Sequence, residues 1–222
     1  MSTAVTGNGD VASYASARGI DEVLHFTTDR GLIGTFATGA VLSRDLLDED
    51  KYIEHIYTPN CSDRLKDADW TGFVNLSLSR VNRRMLDTSQ SWHATEDVWW
   101  AVLAFDPAIL THPDVFFTTT NNTYSNCVQR GIGVTGLSLL FAPSVEWGHY
   151  GSRCRRQSTT PTSWTTDPQA EVLYPQRLSL EWVRAVYVHE PEHLDDVHTW
   201  LRLLRTGDAS RVLVAHKPEV FQ

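Results

Sequence analysis

The chain has 222 residues, of which 41% are apolar, and 27 Asp and Glu against 19 Lys and Arg give it a formal net charge of −8. That length fits one domain with small additions, and the apolar fraction suffices for a sizeable core, which excludes a disordered chain. The acidic balance excludes a broadly basic nucleic-acid coat, so any contact with phosphates has to be made by a small local cluster on an acidic body.

No apolar run approaches the roughly 18 residues of a membrane span. Residues 1–20 are small and polar, without the basic start and apolar stretch of a secretion signal, and read as a flexible tail before a single domain over 21–222. Cys61, Cys127 and Cys154 are odd in number, widely spaced and without a Cys-x-x-Cys pair. A disulfide framework and a structural zinc site are therefore not expected, and reduced thiols in a cytoplasmic protein are.

In chain order, Val23–Phe26 reads as a short strand. Thr28 or Asp29 can then cap a helix reaching Thr38, with Gly39 suited to its left-handed end. Residues 44–56 are charged and read as a helix or a loop. Val74–Ser79 alternates strictly, the period of a half-buried strand, with Val74, Leu76 and Leu78 toward a core and Asn75, Ser77 and Ser79 toward a cleft or solvent. Val98–Phe105 and Val115–Thr119 are further strands, rich in aromatic and β-branched residues, and Trp92, Trp99 and Trp100 beside them read as core.

From Asn121 to Pro168 the chain is rich in Gly, Ser, Thr, Asn and Arg, with a helical hint near Leu137–Phe141. A long irregular stretch in a compact domain is a place for function or motion. Trp147 and Trp164 lie there, either anchoring the loop or stacking on bases. Strands Ala170–Tyr174 and Val186–Val188, a helix from about Pro191 to Arg205 and a strand Val212–Ala215 complete a mixed α+β chain without regular βαβ units.

His189-Glu190-Pro191-Glu192-His193 matches a zinc-protease spacing, which needs both histidines on one helical turn. Pro191 at its centre belongs in the first turn of a helix, so His189 and Glu190 are expected to close the preceding strand and no metal is expected.

Two constellations invite a functional reading. His25 and Thr27 end a strand that leads into a capped helix, where they could bind ribose hydroxyls or amides. Glu171 interrupts the apolar strand Gln169–Tyr174, and a carboxylate there must face solvent, meet a cation or serve a site. By periodicity alone an outward-facing Glu171 is the simpler explanation.

Gln169-Ala170-Glu171-Val172-Leu173-Tyr174-Pro175 resembles the catalytic strand of the DarT family, DNA ADP-ribosyltransferase toxins of bacterial toxin–antitoxin pairs. Three more blocks agree, in the family's order: Leu24-His25-Phe26-Thr27 with Gly31-Leu32-Ile33, Asn75–Arg84, and Phe117–Asn122. The pattern is closer to the guanine-associated branch, since the second block lacks the Arg-x-Pro-Met of the thymidine branch.

The resemblance implies an ADP-ribosyltransferase-like fold, two small mostly antiparallel sheets splitting to form an NAD cleft. It also implies Glu171 as catalytic carboxylate with Arg80 or Arg83 assisting, NAD held by His25, Thr27, Asn75, Ser77 and Ser79, and single-stranded DNA met by Arg153, Arg155 and Arg156. A macrodomain-like antitoxin is the implied partner. The competing expectations are the same fold with another acceptor (thymidine, RNA or protein) and a nucleic-acid-binding module without catalysis.

Overall fold

The computed structural model describes residues 8–48, 69–148, 150–204 and 211–222. Most of the charged 44–56 segment, Cys61 and Arg205 fall outside them.

The first element among the described residues is helix α1 (Asn8–Arg18), which takes up most of the stretch read as a tail, while residues 1–7 of that stretch lie outside the described residues. Val11 and Ala15, one turn apart, are buried in the core, and Arg18 donates to the Tyr14 hydroxyl at 2.9 Å. Small residues give this helix too weak an apolar stripe to stand out in sequence, but it packs closely against its neighbours. Strand β1 (Val23–Thr28) runs into α2 (Asp29–Thr38). Thr28 caps that helix by accepting from the Gly31 amide, and Gly39 closes it at φ +71°, as the sequence indicates. Strand β2 (Ala40–Leu42) and the short α3 (Arg44–Asp48) follow.

After β3 (Phe73–Leu78) comes α4 (Arg83–Trp92), capped by the Asn82 side chain. Strand β4 (Trp100–Phe105) is buried throughout. Its alternate residues serve two cores. Ala101, Leu103 and Phe105 face one shared with α1 and α2, while Trp100, Val102 and Ala104 face another with Leu86 of α4 and Phe221. A strand covered on both sides loses the polar alternation, which is why it reads as a continuous apolar run. Trp92, expected in the core, ends α4 with 40% of its surface exposed.

The stretch from Asn121 to Pro168 holds more regular structure than its composition suggests. Strand β5 (Phe116–Thr118) precedes it and pairs with β6 (Arg130–Ile132). Helix α5 (Gly133–Leu139) begins four residues before the helical hint, and β7 (Ser144–Glu146) with β8 (Arg153–Arg155) makes a hairpin. Then come β9 (Glu171–Pro175), β10 (Arg177–Ser179), β11 (Val183–Val188), α6 (Leu194–Leu204) and β12 (Leu213–His216). Pro191 starts a 3₁₀ turn after β11, as expected of a proline there, but the strand ends at Val188, so His189 and Glu190 follow it rather than close it. Among the described residues no cluster of His, Cys, Asp or Glu is placed to hold a metal, and no helix is long and apolar enough to cross a membrane.

Eight strands run in the order β12-β11-β4-β1-β3-β9-β5-β6, antiparallel except for β11 with β12. The sheet has a seam. Strand β1 pairs with β4 along all six residues but with β3 only at Val23–Leu78 and Leu24–Ser77. Strand β3 turns its remaining length to β9, from Phe73–Pro175 to Leu76–Val172. Two half-sheets of this one large sheet thus share a short ladder and diverge beyond it, which is the split arrangement that the resemblance implies.

Strand β6 meets α5 at a contact that tolerates only glycine. A Cβ on Gly136 would fall on the carbonyl of Gly131, and one on Gly131 would lie 2.7 Å from the Gly136 Cα. Gly136→Ala is expected to cost about 1–3 kcal/mol, because backbone has to move to admit the methyl group. Chemical denaturation measures this, and an unchanged midpoint would refute the close-contact argument.

Candidate active site

The seam is bridged by a side chain where the ladder stops. His25, one residue past the last β1–β3 pair, places Nδ1 3.0 Å from the Asn75 carbonyl oxygen. A carbonyl can only accept, so Nδ1 carries the proton and Nε2 is the acceptor nitrogen of a neutral ring. Burial lowers the His25 pKa and outweighs the opposing bond to Asn75. Thr27 is buried two residues on, and a Cβ on Gly31 of α2 would overlap its hydroxyl.

On the β3 side the expected row of polar residues is only partly formed. Asn75 and Ser77 lie on one face, and the Ser77 hydroxyl accepts from the Asn82 amide at 3.3 Å. Ser79 does not continue the row. It falls past the strand end in the left-handed region at φ +58°, with a buried hydroxyl that has no hydrogen-bond partner among the described residues. Such a conformation is strained for a residue with a side chain. The chain turns there, and Arg80 leaves the strand direction.

That turn separates the two arginine candidates. Arg80 lies over the Trp164 ring at 4.5 Å and donates through Nη2 to the Thr165 carbonyl at 3.3 Å, while its Nε is buried without a partner among the described residues. Burial depresses its pKa, opposed chiefly by the charge of Asp167. Arg83, in the first turn of α4, is half exposed, pairs with Asp87 at 2.7 Å and donates to the Phe221 carbonyl. Only Arg80 joins the segment leading into Glu171.

Within that segment Asp167 is fully buried and accepts from the Gln169 amide at 2.8 Å. Burial raises its pKa, against the Thr120 hydroxyl, the Gln169 amide and Arg80. Glu171 opens β9, opposite Thr118 of β5, with 7% of its surface exposed. It does not face solvent. Its Oε2 accepts from the Asn122 amide at 2.9 Å. Asn122 is itself held by Arg130, whose Nε donates to its Oδ1 at 2.7 Å and whose Nη2 donates to its carbonyl at 2.9 Å. Continuing the β3–β9 register by one step sets Ser77 beside Glu171, so Asn75, Ser77 and Glu171 share a face. By strand alternation His25 and Thr27 leave the other face of β1 and reach this group only at the seam.

The three arginines expected to meet DNA differ in their commitments. Arg153 pairs with Glu146 at 2.5 Å, and Arg156 donates to the carbonyls of Trp164, Pro161 and Thr162, stapling that loop. Arg155 is exposed, with no side-chain partner among the described residues. Trp164 packs on Arg80 and Trp147 lies 5.7 Å from the Arg84 guanidinium, so both anchor arginines. The Cys127 and Cys154 thiols are free, and burial raises both pKa values, Cys154 to about 11, which suits inert thiols. Asn122, Arg130 and Asp167 went unmarked as site residues in the sequence. For Asn122 the signal was its place in the Phe117–Asn122 block, and for Asp167 its place two residues before Gln169.

A split, largely antiparallel sheet with an oriented, buried glutamate beside the seam agrees with the ADP-ribosyltransferase-like fold that the sequence resemblance implies. Known proteins narrow this class. The sequence profile described as ssDNA thymidine ADP-ribosyltransferase, DarT, matches residues 24–222, and the chain belongs to that family. No curated protein sequence matches it. Among solved structures it is similar to Thermus sp. 2.9 DarT in complex with carba-NAD+ (12% identity, 91% of this chain and 98% of that one, TM-score 0.62). The same Thermus protein in complex with ADP-ribosylated ssDNA gives 13% identity, 92% and 97% coverage and a TM-score of 0.62. Thermosipho africanus DarTG in complex with ADP-ribose gives 16% identity and a TM-score of 0.60 over 90% of this chain, which spans 51% of that longer one. The reaction class of the family is transfer of ADP-ribose to single-stranded DNA, with NAD as the co-substrate.

The His25 bridge makes the seam sensitive to acid. Because the folded pKa lies below the ordinary 6.5, stability is full above that value and falls as the pH drops from it toward the folded pKa. Histidine NMR titration should place His25 below 6.5, and His25→Phe should remove its part of the acid destabilisation. A His25 that titrates at or above 6.5 would contradict the half-buried, neutral ring.

Proposed function

We propose that Glu171 is the catalytic carboxylate for transfer of ADP-ribose from NAD to a base of single-stranded DNA. The observation that carries this is the buried carboxylate of Glu171, held by the Asn122 amide beside the seam. Breaking the bond between ribose and nicotinamide leaves an oxocarbenium-like carbon, which needs a fixed negative charge close by more than it needs a covalent intermediate. Glu171 would accept a hydrogen bond from the 2′-hydroxyl of that ribose and stabilise the charge. It or a neighbouring group would take the proton lost by the attacking base nitrogen.

Arg80 serves better than Arg83 as the assisting arginine. Its partially buried guanidinium has an unpartnered Nε and sits with Trp164, Thr165 and Asp167 on the path into Glu171, whereas Arg83 is spent on Asp87 and Phe221. In this reading Arg80 meets the NAD pyrophosphate or positions the acceptor. His25 and Thr27, with Asn75 and Ser77, hold the ribose and nicotinamide end, and His25 offers Nε2 as an acceptor. The strained turn at Ser79 serves by aiming Arg80. Of the three arginines expected at the DNA, Arg155 is the one available for a phosphate, while Arg153 and Arg156 shape the loop that presents it.

A base has to leave the stack to be reached, which favours a single strand. We assign guanine as the base on the second block, Arg80-Val81-Asn82-Arg83, which lacks Arg-x-Pro-Met. Thymidine, named in the family description, is the competing acceptor. The same resemblance supports a cytoplasmic toxin paired with a macrodomain-like antitoxin that removes the modification.

Glu171→Gln keeps the side-chain shape and an acceptor oxygen for Asn122 while removing the charge. It is expected to lower the single-turnover rate of DNA modification about 10²–10³-fold, with a wild-type circular dichroism spectrum. A folded variant that modifies DNA at the wild-type rate would sink the assignment.

A further inference from the structure

We propose that Arg130 is a positioning residue for the transfer reaction, fixing the Glu171 carboxylate through Asn122. This rests on Glu171 being the catalytic carboxylate. The loop between β5 and β6 is closed at its foot by two bonds, from the Thr119 amide to the Gln129 carbonyl at 3.1 Å and from the Gln129 amide to the Thr119 hydroxyl at 3.1 Å. Arg130, the next residue, reaches back across the closed loop and grips Asn122 at both its side-chain and main-chain oxygens. The Asn122 amide then points at Glu171 Oε2.

The guanidinium is fixed on its other side. It lies over the Trp70 ring at 4.9 Å, and Trp70 packs on Phe73 of β3 and Phe116 of β5 at 5.2 and 5.3 Å. The clamp is thus built on the two strands that flank β9. Arginine is the residue type this geometry requires, because a planar fork can serve two acceptors and stack on a ring at once, whereas a lysine ammonium is a point charge. The clamp thus orients the Glu171 carboxylate, and an amide donated to a carboxylate favours its ionised form.

The experiment compares Arg130→Ala, Arg130→Lys and Glu171→Gln in the full chain, measuring the rate of ADP-ribose transfer to a single-stranded oligonucleotide against pH, together with the KM for NAD and the thermal midpoint. Arg130→Ala is expected to lower kcat on the order of 10²-fold, the effect of a misplaced catalytic group, with little change in KM. The acid limb of its pH profile should move to higher pH as Glu171 loses its donor. Arg130→Lys, which keeps the charge and loses the fork, should behave like Arg130→Ala, and it carries the test alone if the alanine variant does not fold. Wild-type kcat and an unmoved acid limb in a folded Arg130 variant would overturn the proposal, as would a lost rate with the acid limb unmoved. Retained activity in Glu171→Gln would remove the reading of Glu171 itself. An inactive Glu171→Gln beside fully active Arg130 variants would remove the clamp alone.

Discussion

Everything at the site follows from two strands that pair for two residues and then part. Buried backbone polar groups must find partners. Where β1 leaves β3 after Leu24–Ser77, the lost ladder bonds have to be replaced. β1 keeps β4 along its whole length, β3 takes β9, and the imidazole of His25 supplies a bond to the Asn75 carbonyl at the point of divergence. The divergence is therefore part of the hydrogen-bonded scheme.

The polar groups around the opening are held by short local devices. Thr28 caps α2 and Asn82 caps α4, and each fixes the chain next to residues expected to meet NAD. Ser79 takes a left-handed conformation, and the turn frees Arg80 from the strand. Asp167 is buried close enough to Arg80 to oppose the depression of its pKa. These elements bring charge into an otherwise apolar interior, where interactions are stronger than in water. Beside them the guanidinium groups of Arg80 and Arg130 are set on the Trp164 and Trp70 rings.

What could be read from sequence was chiefly local. The cap at Thr28, the left-handed end at Gly39 and the strict alternation of β3 each depend on neighbouring residues, and the structure has them where the pattern put them. Helix α1 escaped because Ala and Ser give little contrast between its buried and exposed sides. Ser79 escaped because alternation along a strand says nothing of where the strand turns. Trp92 was assigned by its aromatic character, while its place at the end of α4 decides its exposure. Sequence left Arg80 and Arg83 equivalent, three residues apart, and tertiary partners tell them apart: the Trp164 ring and Thr165 carbonyl for the one, the Asp87 carboxylate and Phe221 carbonyl for the other. The grip of Arg130 on Asn122 crosses a loop with no periodic pattern, so residue spacing carried no sign of it.

The most direct test of ADP-ribosyl transfer to DNA is tandem mass spectrometry of one single-stranded oligonucleotide containing all four bases, incubated with the protein and NAD. The account predicts the mass of one added ADP-ribose, with fragment ions placing it on guanine. An adduct confined to thymidine would keep the enzyme and overturn the assigned base. An unmodified oligonucleotide in a reaction that still releases nicotinamide would contradict DNA as the acceptor.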